Sequence, residues 1–332
     1  MMKAIYFNEF GSPVDDFDAL QLGEVPLPEI KENEVLVKMV AASINPGDFL
    51  FIQNLYPEPK KPVFPQQIGG NYGAGIVTKV GSKVSFKPGT FVTFGYYNTW
   101  AEYAAVPAEW LIPLPSDYPI EKAAQFFNLI TAWDLLEQSK VQSGQWLALT
   151  AGNSSVATMV SQLAKLRGVH VISIVRKTHD HLDLQTLGVS HVIDLSQLSG
   201  NIKEPIMEIT QNKGLHGLID AVGGPLSSDL IQSLSFGGQV VIYGNYSSEK
   251  FEFHNYDILM NNIGINAYLY QYFLTPPKPE DRKVLQKIID VTGKAEFQVS
   301  IGGMHRLEDF KNAVHGSLHF PEQGKRFFTF PL

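Results

Sequence analysis

A chain of 332 residues exceeds one ordinary core, so two domains are expected. Hydrophobic residues make up 44% and charged residues 18%, with a net charge of −7 and no basic cluster, a globular composition that excludes a nucleic-acid footprint and a polybasic membrane patch. Cys is absent, which removes disulfides, thiolate zinc ligands and cysteine nucleophiles; the first of nine His is His170, so the N-terminal half carries no imidazole.

The opening residues, Met1 to Tyr6, read directly into a strand rather than a targeting segment. No apolar run approaches the roughly 20 residues that span a bilayer. A soluble, cytoplasmic protein is expected. Residues 34–42, 75–80 and 90–94 alternate like strands bounded by turn residues, a β-rich, barrel-like segment. Residues 57–65 hold Pro57, Pro59, Pro62 and Pro65 and read as an exposed irregular loop.

Near residue 120 the pattern changes. Residues 120–136 read as one helix, and Gly144 introduces the apolar strand 146–150. A second helix follows, with Val156, Val160, Leu163 and Ala164 on one face. Gly168 ends it. Strands are predicted at 169–175, 191–194, 217–222 and 239–244. Continuous apolar strands separated by helices imply a parallel sheet buried on both faces. A last strand is predicted at 326–330.

Thr150-Ala151-Gly152-Asn153-Ser154-Ser155-Val156-Ala157 lies between a predicted strand and a predicted helix, the context of a dinucleotide phosphate loop. Only Gly152 clearly remains of a three-glycine fingerprint. Asn153, Ser154 and Ser155 suit either phosphate oxygens or a plain helix cap. Binding of NAD usually places a carboxylate about 20 residues beyond the loop. Residues 151–179 contain no Asp or Glu, and Arg176-Lys177 follows the second strand instead. Two cations there suit a 2′-phosphate, so NADPH is predicted over NADH.

Several motifs then resemble one family. Ile44-Asn45-Pro46-Gly47-Asp48, Gly69-Gly70-Asn71, Thr99-Trp100-Ala101-Glu102-Tyr103, residues 128–133, residues 163–168 and the closing Gln323-Gly324-Lys325 are similar, in order, to the quinone oxidoreductase branch of the medium-chain dehydrogenase/reductase superfamily. Within it, Gly69-Gly70-Asn71, Asn153-Ser154-Ser155-Val156, Ile174-Val175-Arg176 and Ile52-Gln53 followed by Tyr56 most resemble 2-enoyl thioester reductases. Three departures stand out. Tyr72 replaces an acidic residue after Asn71, Ala157 replaces a glycine, and the proline-rich stretch after Tyr56 is unlike the family loop.

The resemblance implies an α/β fold: a GroES-like β-rich catalytic domain, residues 1–120 and 263–332, plus a Rossmann doubly wound parallel-sheet cofactor domain, residues 121–262. It implies zinc-free hydride transfer from NADPH to a small molecule, an enoyl thioester, an enone or, as the alternative, a quinone. A cofactor-binding scaffold or structural protein that keeps the fold without the activity is the third possibility. Tyr56 is the implied proton donor, with Tyr72 second and Asn45 beside the nicotinamide. Thr131, Val222, Gly223, Tyr243, Gly244 and Lys325 join the loop and the basic pair as cofactor contacts. Tyr268, Tyr270, Tyr272 and Phe273 read equally as a pocket wall or as core or dimer contacts. A homodimer is implied, paired through residues 263–269.

Overall fold

The computed structural model describes residues 1–57 and 59–331. The chain forms two compact units, Met1–Phe127 with Gln271–Leu332, and Asn128–Tyr270.

In the first unit, β1 (Met2–Phe7), β2 (Gln21–Val25) and β4 (Gln67–Ile68) make a small antiparallel sheet with β1 central. The larger sheet is built on β3 (Glu34–Ser43), whose residues are almost continuously buried. One edge of β3 pairs with β5 (Tyr72–Val80). The other edge is shared: residues 34–38 take β7 (Tyr103–Pro107), and residues 41–43 take β16 (Lys325–Thr329). Beyond β5 come β6 (Phe91–Gly95) and β8 (Leu111–Pro113), and beyond β16 comes β15 (Ile301–His305). The core between these sheets and the helices α1 (Pro46–Ile52) and α9 (Phe310–His319) holds Ile5, Phe7, Phe51, Phe94, Trp100 and Phe328. Each such side chain contributes about 1.5–3 kcal/mol by leaving water. The unit is completed by α2 (Ile120–Ala123) and α8 (Arg282–Thr292).

The second unit is a parallel sheet. Among the described residues its strands are β9 (Trp146–Leu149), β10 (His170–Val175), β11 (His191–Asp194), β12 (Leu215–Asp220), β13 (Leu234–Ile242) and β14 (Gly264–Ala267). Their order is β11-β10-β9-β12-β13-β14, all neighbours parallel. This is the dinucleotide-binding arrangement, in which ligands sit beyond the C-terminal strand ends near β9, where the order reverses. Its helices are α3 (Phe126–Ser139), α4 (Ser155–Leu166), α5 (Lys203–Ile209), α6 (Gly224–Ile231) and α7 (Asn255–Asn261).

Two local expectations change. The helix predicted over 120–136 is two helices, because bonding tightens at Gln125, whose N–H donates to Lys122 O three residues back. The loop at 57–65 is irregular and mostly exposed, but Lys60 turns inward and is only 3% exposed; Glu58 lies outside the described residues. No helix of the described residues is long and apolar enough to cross a membrane.

Candidate functional site

In the second unit the strand β9 delivers Thr150 to a sharp turn, with Ala151 at φ 47°. Gly152 follows, buried against β10: its N–H donates to Ile174 O at 2.9 Å, and a Cβ there would run into Ser173 Oγ. Only glycine permits that approach. Ser154 then caps α4, its Oγ accepting from Ala157 N–H at 3.3 Å. Asn153, Ser154, Ser155 and Val156 are half-buried at the start of this 12-residue helix, where free N–H groups favour an anion.

The turn after β12 is fixed by Asp220, a buried carboxylate. It accepts from Thr150 Oγ1 at 2.7 Å, Ser227 Oγ at 2.5 Å, and the N–H groups of Val222 and Gly223. Thr150 Oγ1 in turn accepts from Ala221 N–H at 2.8 Å. The two strand ends facing the candidate cofactor are thereby tied together. Gly223 has φ 76°, and its Cβ direction meets no atom within 4 Å, so the backbone lies open to a ligand. Tyr243, at the end of β13, is hydrogen-bonded to Ser154, and burial raises its hydroxyl above the ordinary value. Gly244 packs on Ala221.

Arg176 and Lys177 are exposed at the C-terminal end of β10. Lys177 lines a cavity of about 110 Å3 with Asn153, Val175, Thr178, His179 and Leu182. The nearby carboxylate of Asp194 is engaged by Thr178 and Ser196, whose hydrogen bonds hold it below the usual carboxylate range. It leaves the basic pair without a carboxylate partner among the described residues. An open glycine backbone, a capped helix start and two exposed cations fit a dinucleotide bearing a 2′-phosphate. Thr131 is half-buried on α3.

In the first unit the predicted residues Asn45, Tyr56, Tyr72 and Lys325 gather around Asp48, a fully buried carboxylate that sequence reasoning did not single out. Asp48 Oδ2 accepts from Asn45 N–H at 2.7 Å, capping α1. Its Oδ1 accepts from both the backbone N–H and the side-chain amide of Asn71 at 2.8 Å. Burial raises its pKa; the bonds from Asn45 and Asn71 and the charge of Lys325 oppose that. Asn45 Nδ2 donates to Ser43 Oγ at 2.8 Å, and Lys325 Nζ donates to Ile44 O at 3.2 Å.

Tyr56 Oη reaches the first turn of α1, where a Cβ on Gly47 would fall on it. The Tyr56 ring stands edge-on to Phe273, 4.9 Å away, and Tyr72 stacks on Phe127 at 5.3 Å. Burial raises both hydroxyls above their ordinary value, with Asp48 adding to it, so both stay protonated at neutral pH.

Lys60 is the residue most plainly missed. Its ammonium sits 5.8 Å from the Tyr56 ring centroid, 6.0 Å from Tyr72, 5.2 Å from Tyr97 and 5.0 Å from Phe273. Such an aromatic enclosure attracts a cation. Burial nonetheless pulls its pKa down to about 8, opposed by Asp48, and the same pair of causes brings Lys325 to about 8. Nothing in the sequence near Lys60, a lysine among prolines, signals that it points inward. Of the aromatic stretch, Phe273 joins this cluster, whereas Tyr268 donates to Asp134 Oδ2 at 3.0 Å within the second unit.

The alcohol dehydrogenase GroES-like domain family matches residues 31–116, and the zinc-binding dehydrogenase family matches residues 155–288. The mitochondrial enoyl-acyl-carrier-protein reductase of Caenorhabditis elegans is 32% identical over 275 residues, covering 80% of this chain and 77% of its own. The solved structure of the Etr1p/NADP/crotonyl-CoA complex superposes with a TM-score of 0.83 at 25% identity over 99% of both chains. Escherichia coli quinone oxidoreductase complexed with NADPH shares the fold at a TM-score of 0.84 and 22% identity, over 99% of this chain and 100% of that one. With these matches and this pair of units, the chain belongs to the medium-chain dehydrogenase/reductase superfamily, in its quinone oxidoreductase and enoyl thioester reductase branch.

Proposed function

We propose that the chain is an NADPH-dependent oxidoreductase that reduces an activated alkene, with a 2-enoyl thioester as the substrate class and no zinc in the chemistry. The observation that carries this reading is the Tyr56–Tyr72–Lys60 cluster: two tyrosine hydroxyls made still harder to ionise by burial, beside a buried ammonium. The relatives named as enoyl reductases, and the Etr1p complex with NADP and crotonyl-CoA, support it.

Bound NADPH would supply the hydride. Residues 152–156, Val222, Gly223, Tyr243 and Gly244 would hold its pyrophosphate and ribose, and Arg176 with Lys177 its 2′-phosphate. Asn45, Thr131 and Lys325 are proposed as further contacts.

When hydride reaches the β-carbon of an enoyl thioester, negative charge moves to the thioester oxygen and a proton is finally required at the α-carbon. A hydroxyl that resists ionisation serves best as a hydrogen-bond donor to that oxygen. Tyr56 has this role, with Tyr72 second. The Lys60 ammonium, with a pKa of about 8, carries the charge at neutral pH and is matched to proton transfer there. This arrangement supplies electrostatic stabilisation without a metal.

A quinone is the alternative substrate, because the Tyr56, Tyr97 and Phe273 rings that enclose the Lys60 ammonium form an aromatic cluster suited to a flat molecule. Paired assays with crotonyl thioester and 1,4-benzoquinone separate the readings. Tyr56→Phe should lower thioester reduction about 100-fold and spare quinone reduction. Quinone turnover alone establishes the alternative. Absence of NADPH binding would leave a scaffold without activity. Pairing of two copies through the edge strand β14, beyond which Leu269 is 66% exposed, belongs to the same reading. So does a cytoplasmic location, against relatives named as mitochondrial; cell fractionation decides it.

A further inference from the structure

Asp16 and two histidines of α9 form a cluster that shares no residue with either part of the site above. His315 and His319 lie one turn apart on the helix, so their side chains leave the same face. Both rings aim at one carboxylate. His315 Nδ1 is 2.6 Å from Asp16 Oδ2, and His319 Nε2 is 2.6 Å from Asp16 Oδ1. The two rings are 4.4 Å apart, centroid to centroid, and the three potential donor atoms all lie within 4.8 Å of one another.

Asp16 is presented by a left-handed backbone, φ 52° and ψ 31°, that ends the short 3-10 turn Pro13–Asp15. The next residue, Phe17, stacks on Phe49 in the core at 4.8 Å, so the turn is anchored where it meets the helix. The carboxylate and the imidazoles therefore come from elements about 300 positions apart, each held in place by its own backbone.

We propose that Asp16, His315 and His319 form a binding site for a divalent transition ion of the zinc class. Two imidazole nitrogens and one carboxylate are the donor set that zinc accepts when three protein ligands leave a position to water. Donors on one face of a tetrahedron around zinc are about 3.3 Å apart, given metal–ligand distances near 2.0 Å. The observed spacings bracket that value, so small side-chain rotations suffice. Imidazole selects zinc, nickel, cobalt or copper over magnesium and calcium, which prefer oxygen alone. Outward exposure gives the ion a direct path from solvent: the His315 and His319 side chains are 51% and 47% exposed.

Bound there, the ion clasps the N-terminal turn to the C-terminal helix of one unit. Such a clasp stabilises the folded chain in proportion to the logarithm of ion concentration over Kd. In the ion's absence, the hydrogen bonds of Asp16 to the two rings hold the same elements more weakly.

The test is calorimetric titration of the full chain, free of any affinity tag, with zinc chloride and separately with magnesium chloride. One equivalent of zinc is expected and no magnesium. At tenfold excess over Kd the Tm should rise by about 2–4 °C. His315→Ala, His319→Ala and Asp16→Asn should each weaken zinc binding at least tenfold, while far-ultraviolet circular dichroism confirms the fold. Asp16→Asn keeps a hydrogen-bonding side chain, so its loss of zinc separates ligation from the hydrogen-bonded clasp. Absence of zinc binding to the parent chain, or an affinity unchanged in all three variants, overturns the proposal.

Discussion

Replacing Lys60 with methionine should make the protein more stable and less active at pH 7. Methionine keeps an unbranched apolar stem, one heavy atom shorter than that of lysine, and removes the charge. Lys60 is only 3% exposed, and its pKa is lowered from 10.5 to about 8 chiefly by burial. That interval corresponds to about 3 kcal/mol of cost for keeping the ammonium charged inside the fold. Attraction to the four surrounding rings, about 0.5–2 kcal/mol, limits what the substitution can recover.

The sign follows from proton counts. Between pH 8 and 10.5 the unfolded chain holds the Lys60 proton and the folded chain does not, so parent stability rises with pH across that window. Below pH 8 both states are charged and the whole cost is present. Lys60→Met should therefore gain about 1–3 kcal/mol at pH 7, and the gain should fall to roughly half by pH 9.5. Urea unfolding at the two pH values, followed by tryptophan fluorescence, measures both quantities. A variant less stable than the parent at pH 7, or a gain that does not shrink with pH, refutes the assignment of a strained buried ammonium. In the same variant, thioester reduction should fall about 10–100-fold in kcat, because the positive charge beside Tyr56 is gone.

Gly47→Ala places a methyl group on the position of Tyr56 Oη, so the ring must move. It should lower kcat for thioester reduction about 10-fold or more while leaving NADPH affinity unchanged, measured by initial rates and fluorescence titration. Arg176→Ala with Lys177→Ala should raise the Kd for NADPH about 10–100-fold and leave that for NADH nearly unchanged. Equal losses for the two cofactors would remove the 2′-phosphate from the argument. Thr150→Val breaks the bonds to Asp220 and Ala221 in the buried turn and should destabilise the chain by about 1–3 kcal/mol in a urea titration.

What the sequence displayed well is what is local. The loop 150–157 could be read because Gly152, Ser154 and Ala157 act within one strand–turn–helix, and the basic pair because it directly follows a strand. Strands such as Trp146–Leu149 show as continuous apolar runs. The hidden parts are joined through space. Asp48 meets Asn71 across 23 positions, Asp220 meets Thr150 across 70, and Asp16 meets His319 across 303. None of these pairs leaves a periodic trace. Lys60 was invisible for another reason: proline content predicts an irregular loop but not which of its side chains turns inward. The helix predicted over 120–136 failed at Gln125, where a tighter turn needs no helix-breaking residue.

The bonds of Asp48 have a consequence for chimaeras. Its two oxygens are shared between Asn45, in its own segment, and Asn71, on a different stretch of chain that supplies two donors from one residue. Neither segment is a portable module. Grafting residues 44–48 into another scaffold without a matching asparagine would leave a buried carboxylate short of donors. Importing the Gly69-Gly70-Asn71 segment alone would strand an amide. Recombination with a parent that lacks either the aspartate or the asparagine should tolerate crossovers that carry both segments together and reject those that fall between residues 48 and 71.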